Sequence, residues 1–348
     1  MGTDDLKDRA APGAPLPPDR GWVVPVAAAV ALAVLPAVLT PYTHDLVLKI
    51  AILAIFALSL ELLVGMTGLV SLGHAAFLGI GAYVAVLGTG DAGAASIAWL
   101  LPASVVAAAA YALFVGALSL RTKGVYFIMV TLAFAQMAFF VFHDTKVGGG
   151  SDGIFLYFKP VLAVAGKTLI DLDDRRALYY LVVAALVATY ALLALVGRSR
   201  FGHALAGIRI NEQRMRAAGF STYPYKLAAF TLSGGLAGLA GCLFAIKDGY
   251  VNPELLSWHF SGAVLIMIIL GGLGHLRGAL VGAFAFALLQ ELFKSEAIFG
   301  SFAKHWQLGL GLTIIASVAL LPRGLVQLPA RLWKRPAPRA ARKAEAAS

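Results

Sequence analysis

The sequence predicts an all-α polytopic membrane protein of about ten transmembrane helices, and three observations lead there. Of its 348 residues, 60% are hydrophobic and only 13% charged, with a mean hydropathy of +0.82, against about 45–50% apolar and about 25% charged in soluble domains. The apolar residues fall in ten separate runs, most of them near the length of about 20 residues that a membrane-crossing helix needs. Lys and Arg crowd into two connections that an even number of spans would place on one side of the membrane. Ten spans use roughly 200 residues, which leaves short connections and two tails and excludes a large soluble domain.

Residues 1–21 are polar and Pro-rich, with Asp4, Asp5, Asp8 and Asp19 beside Lys7, Arg9 and Arg20, a composition unlike a cleavable signal sequence. They read as a disordered cytoplasmic tail. The membrane domain covers 22–328, with apolar runs at 22–39, 46–64, 69–87, 96–118, 125–142, 178–196, 227–246, 262–270, 279–293 and 308–321. The eighth run is short, so its helix is expected to start near Leu255 or to continue past Leu273. A basic tail, 329–348, follows.

Orientation comes from the positive residues, which resist translocation. The segment 198–226 holds Arg198, Arg200, Arg209, Arg214, Arg216 and Lys226 against Glu212 alone, and the chain beyond Pro322 holds seven Lys and Arg against Glu345. Both are expected in the cytoplasm, and the four spans between them make the two assignments agree. Counting back puts Arg121, Lys123 and the N-terminus inside and makes 143–177 an extracytoplasmic loop of balanced charge. A net charge of +10 and a pI near 9.7 would suggest nucleic acid in a soluble chain. Here the positive-inside bias accounts for them and no nucleic-acid role is expected. The single cysteine, Cys242, excludes an intrachain disulfide and a Cys-based metal site.

Glycine contributes 37 residues, several inside apolar runs. Gly234 and Gly238, and Gly274, Gly278 and Gly282, are spaced four apart, as close helix contact in lipid requires. The stretch 65–83 differs, because breakers and polar side chains interrupt it, and this predicts a broken or re-entrant third span. Non-helical backbone at membrane depth survives only inside protein or beside a wet cavity, where transporters place substrate. Ser71, Gly73, His74, Phe77, Gly79, Gly81 and Tyr83 are therefore candidates to line a pathway. Ser71 and His74 equally suit plain interhelical hydrogen bonding, and no second ligand stands at metal-binding spacing from His74. Leu72-Gly-His74 with Gly81-Ala-Tyr83 is echoed by Leu273-Gly-His275 with Gly282-Ala-Phe284, a match that composition alone can produce.

In 198–225, Ala204, Leu205, Ile208, Met215 and Ala218 give a rough helical face that Gly219 would stop. One short amphipathic helix is expected, suited to anionic lipid or to a partner's groove.

These blocks carry a family resemblance. The run Gly-Leu-Val-Ser-Leu-Gly-His-Ala-Ala-Phe-Leu-Gly-Ile-Gly-Ala-Tyr at 68–83, the loop from Phe201 to Gly219, and Ala229-Phe230 with Ala237-Gly238-Leu-Ala-Gly241 resemble the M-type permease subunits of LIV-type ABC importers, which carry branched-chain amino acids. Gly149-Gly150-Ser-Asp-Gly153 and Gly271-Gly-Leu-Gly-His-Leu-Arg-Gly278 extend the likeness from about residue 55 to 325. The resemblance implies a multi-pass permease of the bacterial inner membrane with a second, H-type permease, two cytoplasmic ABC ATPases that use ATP, and an extracytoplasmic binding protein. It implies that Phe201, Gly202, Arg209, Asn211, Glu212, Ala217, Ala218 and Gly219 belong to the loop that touches the ATPases. The chain departs from the family pattern at His203, where a basic residue is usual, at Ile210, where an acid is common, and at Glu61, where an amide is commoner. Glu61 either reaches the cytoplasmic interface or faces the pathway.

Other functions fit less well. Gly166-Lys167-Thr168 looks like the end of a phosphate-binding loop, but its first glycine would have to replace Val161. No bound cofactor and no metal are expected, and no convergent nucleophile, base or ligand set marks an enzyme. Mid-span acids or arginines of a secondary transporter are nearly absent. The expected function is thus a permease for branched-chain amino acids, with urea or short-chain amides as the alternative and a secondary transporter behind both. Its pathway is expected to be apolar and weakly selective, with affinity and choice residing largely in the binding protein.

Overall fold

In a computed structural model of the chain, the described residues are 36, 40–90, 95–164, 167–321 and 324–327. The first apolar run, 22–39, lies outside them except for Pro36, and both tails lie outside them. Each of the other nine runs coincides with a helix. These are α1 Pro41–Glu61, α2 His74–Thr89, α3 Ile97–Ser119, α4 Val125–Asp144, α5 Arg175–Arg198, α8 Thr222–Asp248, α9 Trp258–Gly271, α10 Leu276–Lys294 and α11 Trp306–Leu320. Between α5 and α8 lie α6 Arg200–Ile210 and α7 Glu212–Ala217. Six helices are long and apolar enough to cross a membrane: α1 with its π-helical continuation, α3, α4, α5, α8 and α10. The apolar helices α2 and α9 are shorter, at 16 and 14 residues.

Burial sorts the bundle into centre and periphery. In α1 with its continuation 89% of the most apolar stretch is buried and in α8 78%, against 22% in α4, so α1 and α8 form the axis and α4 presents Met129, Met137 and Phe140 outward. Small residues make the contacts at the axis. A Cβ on Gly238 would overlap the Ala108 Cβ of α3, one on Gly234 the Ala112 Cβ, one on Gly81 the Gly238 backbone and one on Gly241 the Leu78 carbonyl. Gly282 meets the Met267 carbonyl and Gly278 the Gly272 carbonyl in the same way. Without hydrophobic drive between helices in lipid, such approach gains the dispersion contacts that hold a bundle together. Gly81 and Gly282, the paired glycines of the sequence echo, are both such contact points.

Helix starts follow from their caps. Thr40 accepts from Thr43 N before Pro41, and Asp174 accepts from Arg176 N at 3.0 Å. The α1 helix winds into a π-helix over Leu62–Thr67, which Gly68 ends at φ +75°. Residues 68–73 are non-helical, so α2 begins at His74 rather than at Leu69. For the eighth run, α9 spans Trp258–Gly271, starting three residues after Leu255, and a 3₁₀ turn, Pro253–Leu256, precedes it.

The loop 143–177 folds into small ladders among the helices. Strand β1 Ile154–Phe155 pairs antiparallel with β4 Tyr250–Val251, and β2 Val161–Val164 with β3 Lys167–Asp171. Gly149, Gly150 and Gly153 all have positive φ. Gly153 lies so close to the Val251 carbonyl that no side chain fits, and Tyr250 Oη donates to Asp152 O at 2.6 Å. The glycines of this block thus fold it onto the turn after α8. Lys167 and Thr168 lie in β3, whereas a phosphate loop leads into a helix.

Candidate functional site

The segment 198–225 lies at one end of the bundle and is two helices rather than the single one expected. Ser199 starts α6 by accepting from Gly202 N at 3.2 Å, and Gly202 fits against the Val196 carbonyl, where a Cβ would clash. Ala204, Leu205 and Ile208 face inward, and Phe201 stacks on Tyr225 at 5.8 Å between ring centres. Asn211 then leaves helical geometry (φ −158°, ψ 99°) and caps α7, accepting from Arg214 N at 2.9 Å. The break turns α7 outward, so Met215 is half-buried and Ala218 exposed rather than continuing the α6 face. Ala217 and Ala218 close α7, and Gly219 reverses the chain at φ +88° with open space around it.

Glu212 fixes the elbow to α8. Its Oε1 accepts from Arg216 Nη2 at 2.6 Å, Thr222 Oγ1 at 2.9 Å and Lys226 Nζ at 2.9 Å. Burial pushes this carboxyl up, but the hydrogen bonds from Lys226, Thr222 and Arg216 together with the Lys226 charge outweigh it and hold the carboxyl at about 2. In the sequence Lys226 counts only as one of six basic residues and nothing marks Thr222; the one acid among those six is the available signal.

Arg209 anchors the elbow to the axis by donating to the Gly65 carbonyl. That carbonyl lies in the last turn of the π-helix, which Gly68 ends, and carbonyls at a helix end lack an intrahelical donor. Beside it Glu61 is only 2% exposed, and its Oε1 accepts from Gly274 N at 2.6 Å. Glu61 therefore does not reach out to an interface; it ties α1 to the turn between α9 and α10. A cavity of about 560 Å³ lined by Met66, Gly197, Gly202, Arg209 and Gly274 opens between elbow and bundle.

Above this junction, the residues of 71–83 are enclosed by neighbouring helices. Ser71 Oγ accepts from Gly73 N at 3.2 Å, and Gly73 lies against the Thr131 carbonyl of α4. His74 is fully buried, stacked on Phe56 at 5.4 Å and edge-on to Phe77 at 5.5 Å. The Ser59 hydroxyl donates its proton to Phe56 O at 2.7 Å and meets His74 Nε2 at 2.8 Å. Ser233 Oγ donates to Ser59 O, and Ser261 Oγ accepts from Ala75 N at 2.9 Å. Four helices, α1, α2, α8 and α9, thus meet in one polar cluster. Gly79 fits against Leu256, Gly81 against Gly238, and Tyr83 stacks on Phe142 at 4.2 Å while donating to Gly148 O at 3.3 Å. Among the described residues no group of three His, Cys, Asp or Glu could hold a metal ion.

The fold is that of an all-α polytopic membrane protein, with six helices long and apolar enough to cross a membrane and a helical elbow anchored at one end. The family model described as the permease component of branched-chain amino acid transport systems matches residues 42–318, and the chain belongs to that family. It is 30% identical over 306 residues to the high-affinity branched-chain amino acid transport system permease protein LivM of Escherichia coli, and 31% over 303 residues to LivM of Salmonella typhimurium. Each match covers 82% of this chain and 70% of the relative. A probable branched-chain amino acid transport permease protein, LivH of Methanocaldococcus jannaschii, is 26% identical over 163 residues, covering 45% of this chain and 48% of that protein. No solved structure matches the chain.

Proposed function

We propose that this chain is the M-type permease subunit of an ATP-driven importer and, with a second, H-type permease, forms the path by which branched-chain amino acids cross the bacterial inner membrane. Two cytoplasmic ATPases supply the free energy and an extracytoplasmic binding protein delivers substrate; this chain holds no nucleotide itself. In this reading the membrane domain is 22–328 with ten spans, the tails 1–21 and 329–348 and the loop 198–225 are cytoplasmic, and 143–177 is extracytoplasmic. The elbow from Phe201 to Gly219 receives the ATPase stroke. The broken third span, from Ser71 through His74 to Tyr83, moves to open the path.

The observation that carries the reading is the anchorage of Arg209 on the Gly65 carbonyl. Through it, displacement of the elbow pulls on the π-helical end of α1, which leads within a few residues into 68–73 and His74. Packed elements of this kind transmit movement as rigid bodies. The test is uptake of labelled leucine into proteoliposomes holding the whole importer, with binding protein outside and ATP in the compartment that the ATPases face. ATP-dependent entry in wild type, lost at least tenfold in Gly219→Arg with the chain still assembled, is the expected outcome. Entry without ATP, driven by an ion gradient, overturns the mechanism, and entry of urea in place of leucine overturns the substrate.

A further inference from the structure

At the end of the bundle opposite the elbow, a cavity of about 630 Å³ opens among α1, α8, α9, α10 and α11, within the range of about 300–1,000 Å³ of small-molecule sites. Its deeper wall is apolar, formed by Leu53, Phe260, Ile266, Met267, Phe286 and Leu310. Its charged groups are of both signs: Lys49 from α1, Lys247 and Asp248 from the last turn of α8, and Glu254 from the 3₁₀ turn before α9. Lys247 already has its counter-charge, Asp248 at 2.5 Å. Among the described residues Lys49 and Glu254 have no ion-pair partner.

We infer that this cavity binds the free zwitterion of an amino acid with a branched apolar side chain, as its first station on the permease. The inference rests on the function proposed above and adds to it a site within this chain. Lys49 would receive the carboxylate, Glu254 the ammonium group, and the apolar wall the side chain. A fatty-acyl chain would find the apolar wall but leave the acid unused, and an inorganic anion would leave the apolar wall unused. Lys49 is half-buried and Glu254 exposed; with one charge of each sign beside an apolar recess, the cavity matches a hydrophobic amino acid at three points, and an analogue lacking one group forfeits one of the three contacts. This gives the permease a fixed-charge selectivity in addition to that of the binding protein.

Trp306 lines the same cavity and provides the readout. In the purified importer, titration with leucine is expected to change tryptophan emission saturably, and Trp306→Phe to remove the change. 4-Methylpentanoate, which lacks the ammonium group, and 3-methylbutylamine, which lacks the carboxylate, are expected to act at least tenfold more weakly. Lys49→Met and Glu254→Gln should each weaken the leucine response and ATP-driven leucine uptake at least tenfold, and Lys49→Arg, which keeps the charge, should restore both. Equal responses to leucine and its two analogues would overturn the inference, as would Lys49→Met and Glu254→Gln importers that take up leucine like wild type. Wild type that takes up no leucine with ATP present is a separate outcome, which overturns the substrate reading and this site with it.

Discussion

Glu61 Oε1 accepts the backbone N–H of Gly274, 213 residues further along the chain, at 2.6 Å. The bond closes a triangle in which Arg209 of α6 holds the Gly65 carbonyl and Glu61, one turn earlier on α1, holds the turn between α9 and α10. Three segments remote in sequence thereby meet where the elbow joins the bundle.

Replacing Glu61 separates its two attributes, charge and acceptor oxygen. Glu61→Ala leaves a part-buried amide without its partner, a loss of about 1–3 kcal/mol. Glu61→Gln keeps an acceptor oxygen and is expected to lie within about 1 kcal/mol of wild type. Thermal unfolding of the detergent-solubilised chain measures both. A Gln variant as unstable as the Ala variant would show that the negative charge, rather than the hydrogen bond, holds the triangle.

The close approach of α8 to its neighbours predicts that Gly238→Leu and Gly241→Val destabilise the chain strongly. Each new Cβ would meet backbone or a short side chain that cannot swing away, the Leu78 carbonyl in one case and Ala108 in the other. Overpacking costs about 1–3 kcal/mol or more, and reduced yield of folded protein in detergent is the expected result. Gly262→Ala, at an open position on α9, serves as the control and should leave the yield unchanged.

Much of this architecture was legible because membrane helices write themselves as apolar runs. Nine runs coincide with helices, and the four-residue glycine spacing of Gly234 and Gly238 locates the close contact of α8 with α3. Boundaries were less legible where backbone geometry overrides composition. Leu69 and Val70 are as apolar as any helical residue, but the left-handed Gly68 has already ended the π-helix, and α2 cannot restart before His74. From sequence the elbow reads as one helix because Met215 and Ala218 continue the face of Ala204, Leu205 and Ile208. Asn211, a strong N-cap residue, breaks it. The cavity around Lys49 and Glu254 was not visible at all, because its walls come from five helices and no local pattern joins them.

The His74 cluster makes a prediction of its own. Ser59 Oγ lies 2.8 Å from the buried His74 Nε2, and Ser59→Ala leaves that ring nitrogen without its partner. A loss of about 1–3 kcal/mol is expected. Ser59→Cys, which keeps a weak acceptor, should recover part of it. If Ser59→Ala unfolds at the wild-type temperature, the imidazole has no need of the hydroxyl and the cluster does not hold α1 to α2.

Glu212 sets the acid limit of the elbow. Its carboxyl is depressed to about 2 from the usual 4.5, so the stabilisation it gives is fully present above about pH 5 and is lost as pH falls through the folded value near 2. The anchorage of α7 on Thr222 and Lys226 should therefore be insensitive to pH between 5 and 8. Glu212→Gln removes the charge at every pH and should loosen the elbow throughout that range. Hydrogen exchange of the amides from Arg214 to Ala218 reads this directly. Protection in wild type that falls between pH 7 and 5, after correction for intrinsic exchange rates, would contradict the assignment.

The two ends of the bundle fix the last prediction. Gly150 lies in the loop that follows α4, and Gln213 in α7; between them runs α5, whose 24 residues extend about 36 Å at 1.5 Å each, enough to cross a bilayer core of about 30 Å. The six basic residues of 198–226 resist translocation, whereas 143–177 has balanced charge. A reporter active only outside the cytoplasm should therefore work when fused after Gly150 and fail after Gln213, and a reporter active only in the cytoplasm should do the reverse. Both fusions reporting the same side would mean that α5 does not cross the membrane. The elbow could then not face the ATPases while the loop 143–177 faces the binding protein, and the path of force from Arg209 to the third span would have to be abandoned.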